Sequence, residues 1–204
     1  MLTTRAAVAW IVMEHTSVGN RSWVGKVFIA TSVDGFIARP DGAIDWLSPE
    51  RRLDSHAPGD TGVPEDLGYA KHMAGVDHVV MGRGTYETVL LFPTWPYADK
   101  RVIVLSGRLT TADARVTLAR SVEEAVAMLD ARGARGVYVD GGATIQVFLR
   151  EGLIDTIVLT RVPVLIGEGR PLFGRLPGDV HLVHEGTTAS SNGFVQSRYR
   201  VARS

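Results

Sequence analysis

The fold is read from VYVDGGATIQVFL, residues 137–149. Val137, Tyr138 and Val139 are β-branched or aromatic and suit a strand. Gly141 and Gly142 let the backbone turn sharply and let another group approach it with no Cβ in the way. Ile145, Phe148 and Leu149 then recur at helical spacing. A strand that feeds a helix through glycines leaves unpaired N–H groups at the helix start, where a phosphate binds. The same residues also fit a plain tight turn in an α/β fold, and they lack the G-x-G-x-x-G spacing of the Rossmann fingerprint.

The flanking sequence widens the pattern. Lys26–Thr31 (KVFIAT) is a near-continuous apolar run, as in a strand buried on both faces. Val76–Met81, Arg101–Ser106 and Arg115–Ala119 read as further strands. Pro64–Ala74 has helix-start signals in its proline and two acids, and Tyr86, Val89 and Leu90 continue a helix after Gly84. Ser121–Arg132 carries a capping box, with Ser121 at the cap and Glu124 three residues on. Beyond residue 150, Asp155–Pro163, Val180–Thr187 and Phe194–Val201 read as strands with no helix between them. The pattern predicts an α/β fold: a mostly parallel sheet with helices on both faces, finished by an antiparallel hairpin. Ligands of such sheets sit at the carboxyl ends of strands. The glycine corners after Met81, Ser106 and Asp140 all fall there.

Composition narrows the function. The 204 residues contain no obvious linker, so a single domain over residues 25–204 is expected, with residues 1–24 an extension outside it. Lys plus Arg equal Asp plus Glu at 22 each, so no overall positive field draws the chain to nucleic acid or an anionic membrane. The apolar run Ala6–Met13 is too short to cross a bilayer. The chain has no cysteine, which removes disulfides and thiolate chemistry and suits a reducing cytoplasm. The histidines form no H-E-x-x-H pattern, and His181 with His184 is a weak metal signal; no metal site is expected. The polar stretch Ser48–Gly62 reads as a long surface loop, and its Arg51–Arg52 pair suits an anionic substrate or plain solvation.

Four segments occur in a familiar order: MGRGTYE (Met81–Glu87), VIVLS (Val102–Ser106), DGGATIQVFL (Asp140–Leu149) and DTIVLTRVPVLIGEGRPLF (Asp155–Phe173). Together they resemble the dihydrofolate-reductase-like superfamily over about residues 25–201. The G-x-G-R-P-L-F ending, with Gly167, Gly169 and Arg170, is most similar to the reductase domain of the bifunctional riboflavin-biosynthesis deaminase/reductase. The resemblance implies a three-layer α/β/α domain and an NADPH-dependent reductase acting on an aminopyrimidine ribose-phosphate or related heterocycle, as a homodimer. A dihydrofolate reductase acting on a pterin and a non-catalytic NADPH-binding protein are the alternatives.

By the same resemblance Ala30 lies beside the nicotinamide, and Gly82, Arg83 and Thr85 hold phosphates, Arg83 facing the adenosine 2′-phosphate. Ser106 and Arg108 line the adenosine side. Gly141, Gly142, Ala143 and Thr144 cradle the pyrophosphate, and Trp46 is the substrate-side aromatic. The proton donor is a carboxylate. Asp66, in the P-x-D-L-like PEDL, leads by spacing, with Asp34 of S-x-D-G and Asp140 as alternatives. Each has a plainer reading, as a helix-start acid or an Asp-Gly turn. Arg39, Arg51, Arg52 and Arg170 are the cations available for a substrate phosphate.

Overall fold

The computed structural model describes residues 21–47 and 67–203. Its centre is made of strands whose side chains are buried on both faces. In β3 (His78–Gly82), Val79 and Met81 face one side and Val80 the other, all fully buried. β4 (Arg101–Leu105) and β6 (Gly136–Asp140) divide their valines, isoleucine and tyrosine in the same way. This two-sided burial is why these strands read as continuous apolar runs.

The elements in chain order begin with β1 (Val24–Ser32), β2 (Phe36–Ala38), a 3-10 turn (Asp45–Leu47) and α1 (Tyr69–Ala74). β3, α2 (Arg83–Val89), β4, β5 (Val116–Ala119), α3 (Val122–Ala131), β6 and α4 (Gly142–Arg150) follow. The chain ends with β7 (Thr156–Val162), β8 (Arg170–Pro171), β9 (Leu182–Ala189) and β10 (Val195–Val201). Eight strands form one sheet in the order β5-β4-β3-β6-β1-β7-β10-β9. The first six are parallel, and β10 and β9 close the sheet antiparallel. α3 and α4 cover one face, packing Ala125, Leu129, Ile145 and Phe148 on Val80, Ile103, Val137 and Val139. Met73 of α1 and Tyr86 and Val89 of α2 cover the other. The expected mostly parallel sheet with a terminal antiparallel hairpin is therefore observed.

Two boundaries differ from expectation. The packed chain begins before residue 25: Trp23 is 2% exposed inside the core and donates its indole N–H to Asp130 (2.8 Å). α1 starts at Tyr69, because Leu67 and Gly68 both have positive φ (49° and 84°) and break any helix running in from Pro64. Ser121 does cap α3, its hydroxyl accepting the Glu124 N–H at 3.2 Å. The Glu124 carboxylate reaches back to the Arg120 N–H.

From β3 the chain builds outward to β4 and β5, then returns to place β6 on the other side of β3. α2 leaves β3 on one face of the sheet, while α4 leaves β6 on the other. The carboxyl ends of β3 and β6 therefore lie at a topological switch point, where a crevice opens.

Candidate active site

Met81 and Asp140 are register partners at the ends of β3 and β6, so the two strand-to-helix turns after them lie side by side. Each is built around the other. A Cβ on Gly141, whose φ is 86°, would come within 2.1 Å of the Thr85 hydroxyl. A Cβ on Gly82 would come within 2.9 Å of the Thr144 hydroxyl. A Cβ on Gly142 would meet Ile37 (2.9 Å) and the Pro171 carbonyl (3.0 Å). Glycine is required here by the close approach of the turns and of the Ile37 and Pro171 segments.

At the start of α4 the N–H groups of Gly142, Ala143 and Thr144 meet no acceptor among the described residues. The same holds for Arg83, Gly84 and Thr85 at the start of α2. Two helix starts thus point unpaired donors into one crevice, an arrangement suited to a diphosphate.

That crevice is an open cleft of about 1170 Å³ running across the sheet edge. Gly82, Arg83, Thr85 and residues 140–144 line its middle, and Ala30 on β1 lies beside them. Leu105, Arg120, Ser121 and Val122 line one end, and Phe28, Ile44, Leu47, Val89 and Phe92 give it apolar walls. Arg83 is well exposed and only loosely paired with Glu87 (3.7 Å). Arg120 holds the carbonyls of Ser106 (2.9 Å) and Leu109 (2.7 Å) with one guanidinium nitrogen. Arg170 sits against the Pro40–Gly42 turn, donating to the Pro40 carbonyl at 3.3 Å, and reaches toward Gly84.

The carboxylate candidates separate. Asp140 lines the cleft, taking the Gly141 N–H on one oxygen (2.8 Å) and the Tyr97 hydroxyl on the other (3.4 Å). Burial raises its pKa above the usual carboxylate value, against the hydrogen bonds of Gly141 and the neighbouring tyrosines. Asp34 does not line the cleft. It accepts the N–H groups of Gly167 (2.8 Å) and Ile166 (3.2 Å), and its pKa is lowered, first by the Ser32 hydroxyl and then by those amides. It is a loop anchor that fixes the approach to β8. Asp66 lies outside the described residues, as do Arg51 and Arg52.

Four other candidates stand apart from the cleft lining. Trp46 is buried at 6% exposure, its indole N–H without a partner among the described residues, while its neighbours Ile44 and Leu47 line the cleft. The Ser106 hydroxyl accepts the Leu109 N–H (3.0 Å) and so shapes its own turn. Arg108 follows it at the surface. Arg39 is paired with Asp45 at 2.7 Å.

The residues that sequence reading did not single out are Tyr69, Tyr97, Tyr138 and Arg120, all on the cleft wall. Arg120 carried a usable signal, since it follows the carboxyl end of β5 and precedes a helix cap. The tyrosines carried none, because they come from three separate elements that only the fold brings together.

The sequence and the fold are similar to those of known proteins. The model of the RibD C-terminal domain matches residues 25–196. Uncharacterized protein YwjB of Bacillus subtilis (strain 168) is 36% identical over 165 residues, spanning 79% of this chain and 88% of that protein. The crystal structure of a putative riboflavin biosynthesis protein from Shewanella sp. PV-4 superimposes with a TM-score of 0.73 at 37% identity, covering 88% of this chain and 99% of that one. Dihydrofolate reductase from Enterococcus faecalis, complexed with NADP(H) and RAB-propyl, shares the fold at a TM-score of 0.62 and 18% identity, covering 90% and 98%.

Proposed function

The chain belongs to the RibD C-terminal domain family, and from that premise we propose that it is an NADPH-dependent reductase of the riboflavin-biosynthesis type. Its substrate on this reading is an aminopyrimidine ribose-phosphate or a related heterocycle. The observation that carries the proposal is the pair of glycine turns whose unpaired N–H groups face one cleft, next to a half-buried carboxyl group. The dinucleotide-bound state of the Enterococcus enzyme, which has the same fold, supports the choice of cofactor class.

On this reading the first turns of α2 and α4 hold the pyrophosphate through backbone N–H groups. Arg83, and Arg120 at the end of the cleft lined by Ser121 and Val122, supply guanidinium charge for a terminal phosphate and so favour NADPH over NADH. Ala30, with only a methyl side chain, leaves room for a flat ring against β1. When bound, the reduced nicotinamide supplies a hydride. The substrate carbon that receives it passes its π electrons to the adjoining nitrogen or oxygen, which then needs a proton. Asp140 is placed to hold that proton, and the apolar walls from Phe28, Ile44 and Phe92 limit water around it.

Loss of reduced-nicotinamide absorbance on adding the aminopyrimidine ribose-phosphate tests this directly. Turnover with NADPH well above that with NADH is expected. No turnover, together with no quenching of tryptophan fluorescence by NADPH, overturns the reading. A cytoplasmic homodimer belongs to the same proposal by analogy. β9 is exposed along nearly its whole length at the edge of the sheet, and a monomer mass at micromolar concentration would remove the dimer from it. No helix among the described residues is long and apolar enough to cross a membrane.

A further inference from the structure

Asp140 is not alone at the base of the cleft. Its Oδ1 is fixed by the Gly141 N–H at 2.8 Å, leaving Oδ2 to the Tyr97 hydroxyl at 3.4 Å. Tyr97 comes from the loop between α2 and β4, is 4% exposed, and is braced edge-on by Trp95 at 5.7 Å. The Tyr69 hydroxyl, from the first residue of α1, adjoins that of Tyr97, and Tyr69 is half-buried on the cleft wall. Tyr138, beside Asp140 on β6, is near the same carboxyl group but gives its hydrogen to the Phe28 carbonyl at 3.0 Å. Tyr97 is therefore the hydroxyl that donates to Oδ2.

A phenol both donates and accepts. When Asp140 is ionised, Tyr97 donates to Oδ2. When Asp140 carries a proton, Oδ2–H donates to Tyr97. Resting on the reductase reading above, we propose that Tyr97 is a positioning residue for Asp140, fixing the carboxyl oxygen that holds the proton for the substrate.

Hydride forms a new C–H bond on the substrate's unsaturated carbon, the C=N or C=O π pair moves to the heteroatom, and the Asp140 O–H bond breaks to protonate it. The substrate is reduced by two electrons and NADPH is oxidised to NADP⁺. Solvent in the cleft then returns a proton to Asp140, and Tyr97 stays a phenol throughout, its pKa held far above the ordinary value by burial.

The titratable groups facing Asp140 are Tyr138 on its own strand, Tyr97 from the α2–β4 loop and Tyr69 from α1. Behind Tyr138, His72 of α1 packs edge-on at 5.0 Å, close enough to Lys26 to feel its charge. The 3.4 Å contact is long, as catalytic hydrogen bonds commonly are before substrate tightens them.

Tyr97→Phe removes the hydroxyl and keeps the ring. In the ligand-free full-length protein, carboxyl-carbon NMR should show Asp140 titrating at higher pH in Y97F, because its carboxylate has lost a donor. With substrate, kcat should fall about tenfold with the KM for NADPH unchanged, and the basic limb of the pH profile should move upward. Tyr69→Phe, at a less buried position that makes no hydrogen bond to Asp140, should leave the Asp140 titration in place, and a shift there equal to that of Y97F would overturn the assignment to Tyr97. Circular dichroism shows whether either variant folds. An Asp140 titration and a kcat in Y97F equal to those of the wild type would overturn the proposal. If the wild type fails to bind NADPH, the reductase reading falls instead; the ligand-free titration still decides whether Tyr97 governs Asp140.

Discussion

At the scale of single residues, the site is defined by groups whose ordinary ionisation the fold has moved. Asp140 binds a proton in the folded chain at pH values where the unfolded chain has released it, since burial raises its pKa. Stability from this group is therefore present at low pH and is lost as pH rises from about 4 through the folded value. Asp140→Asn should reduce turnover by about two to three orders of magnitude. The same variant should melt above the wild type at pH 8 and level with it near pH 4, as thermal unfolding at the two pH values will show. His72 runs the other way. Burial, then the charge of Lys26, depresses its pKa from 6.5 to about 4. The unfolded chain takes up a proton below pH 6.5 that the folded chain refuses, so stability is full above 6.5 and falls towards pH 4. The loss is on the order of 1–3 kcal/mol. Urea unfolding of His72→Phe at pH 7 and pH 5 should show that pH dependence reduced, and an unchanged slope would assign it elsewhere.

Among the elements, the strand-to-helix turns carry both the architecture and the proposed cofactor cradle. Gly141→Ala forces a Cβ to 2.1 Å from the Thr85 hydroxyl at a φ of 86°. It should cost about 2–4 kcal/mol of stability and weaken NADPH binding, read by chemical denaturation and fluorescence quenching. Adding Thr85→Ala should recover only part of the loss, because the φ strain stays. Gly107 has open space around its Cβ position, so Gly107→Ala should leave stability within about 0.5 kcal/mol. The glycine corner after Ser106 follows a strand like the other two, yet the β4 turn contributes Leu105 to the cleft and no glycine.

For the whole molecule, Asp155 ties the two ends of the described domain together. Its carboxylate takes the Gly25 N–H (2.8 Å) and pairs with Arg21 (2.9 Å) and Arg203. Its backbone carbonyl takes the Val201 N–H at 2.8 Å. The side chain is 12% exposed, so removing it leaves a poorly solvated Arg21 at 6% exposure. Asp155→Ala should destabilise the fold by about 2–4 kcal/mol in urea without altering the KM for NADPH, because the cluster lies away from the residues that line the cleft.

What the sequence by itself determined was local in origin. Apolar runs bounded by glycine placed β1, β3, β4 and β6 to within a few residues. Ser121 and Glu124 marked α3, and strands without helices after residue 150 foretold the antiparallel close. The resemblance to the dihydrofolate-reductase-like superfamily, carried by MGRGTYE and DGGATIQVFL, agrees with the fold observed. Only the tertiary structure set the strand order that puts Met81 next to Asp140 and lets two glycine turns interlock through Thr85 and Thr144. It also separated equivalent acids: Asp34 and Asp140 both precede glycine, and one anchors a surface loop while the other is half-buried in the cleft. The physical reason is that burial, register and the meeting of Tyr69, Tyr97 and Tyr138 depend on contacts between residues far apart in the chain. No local pattern encodes those contacts.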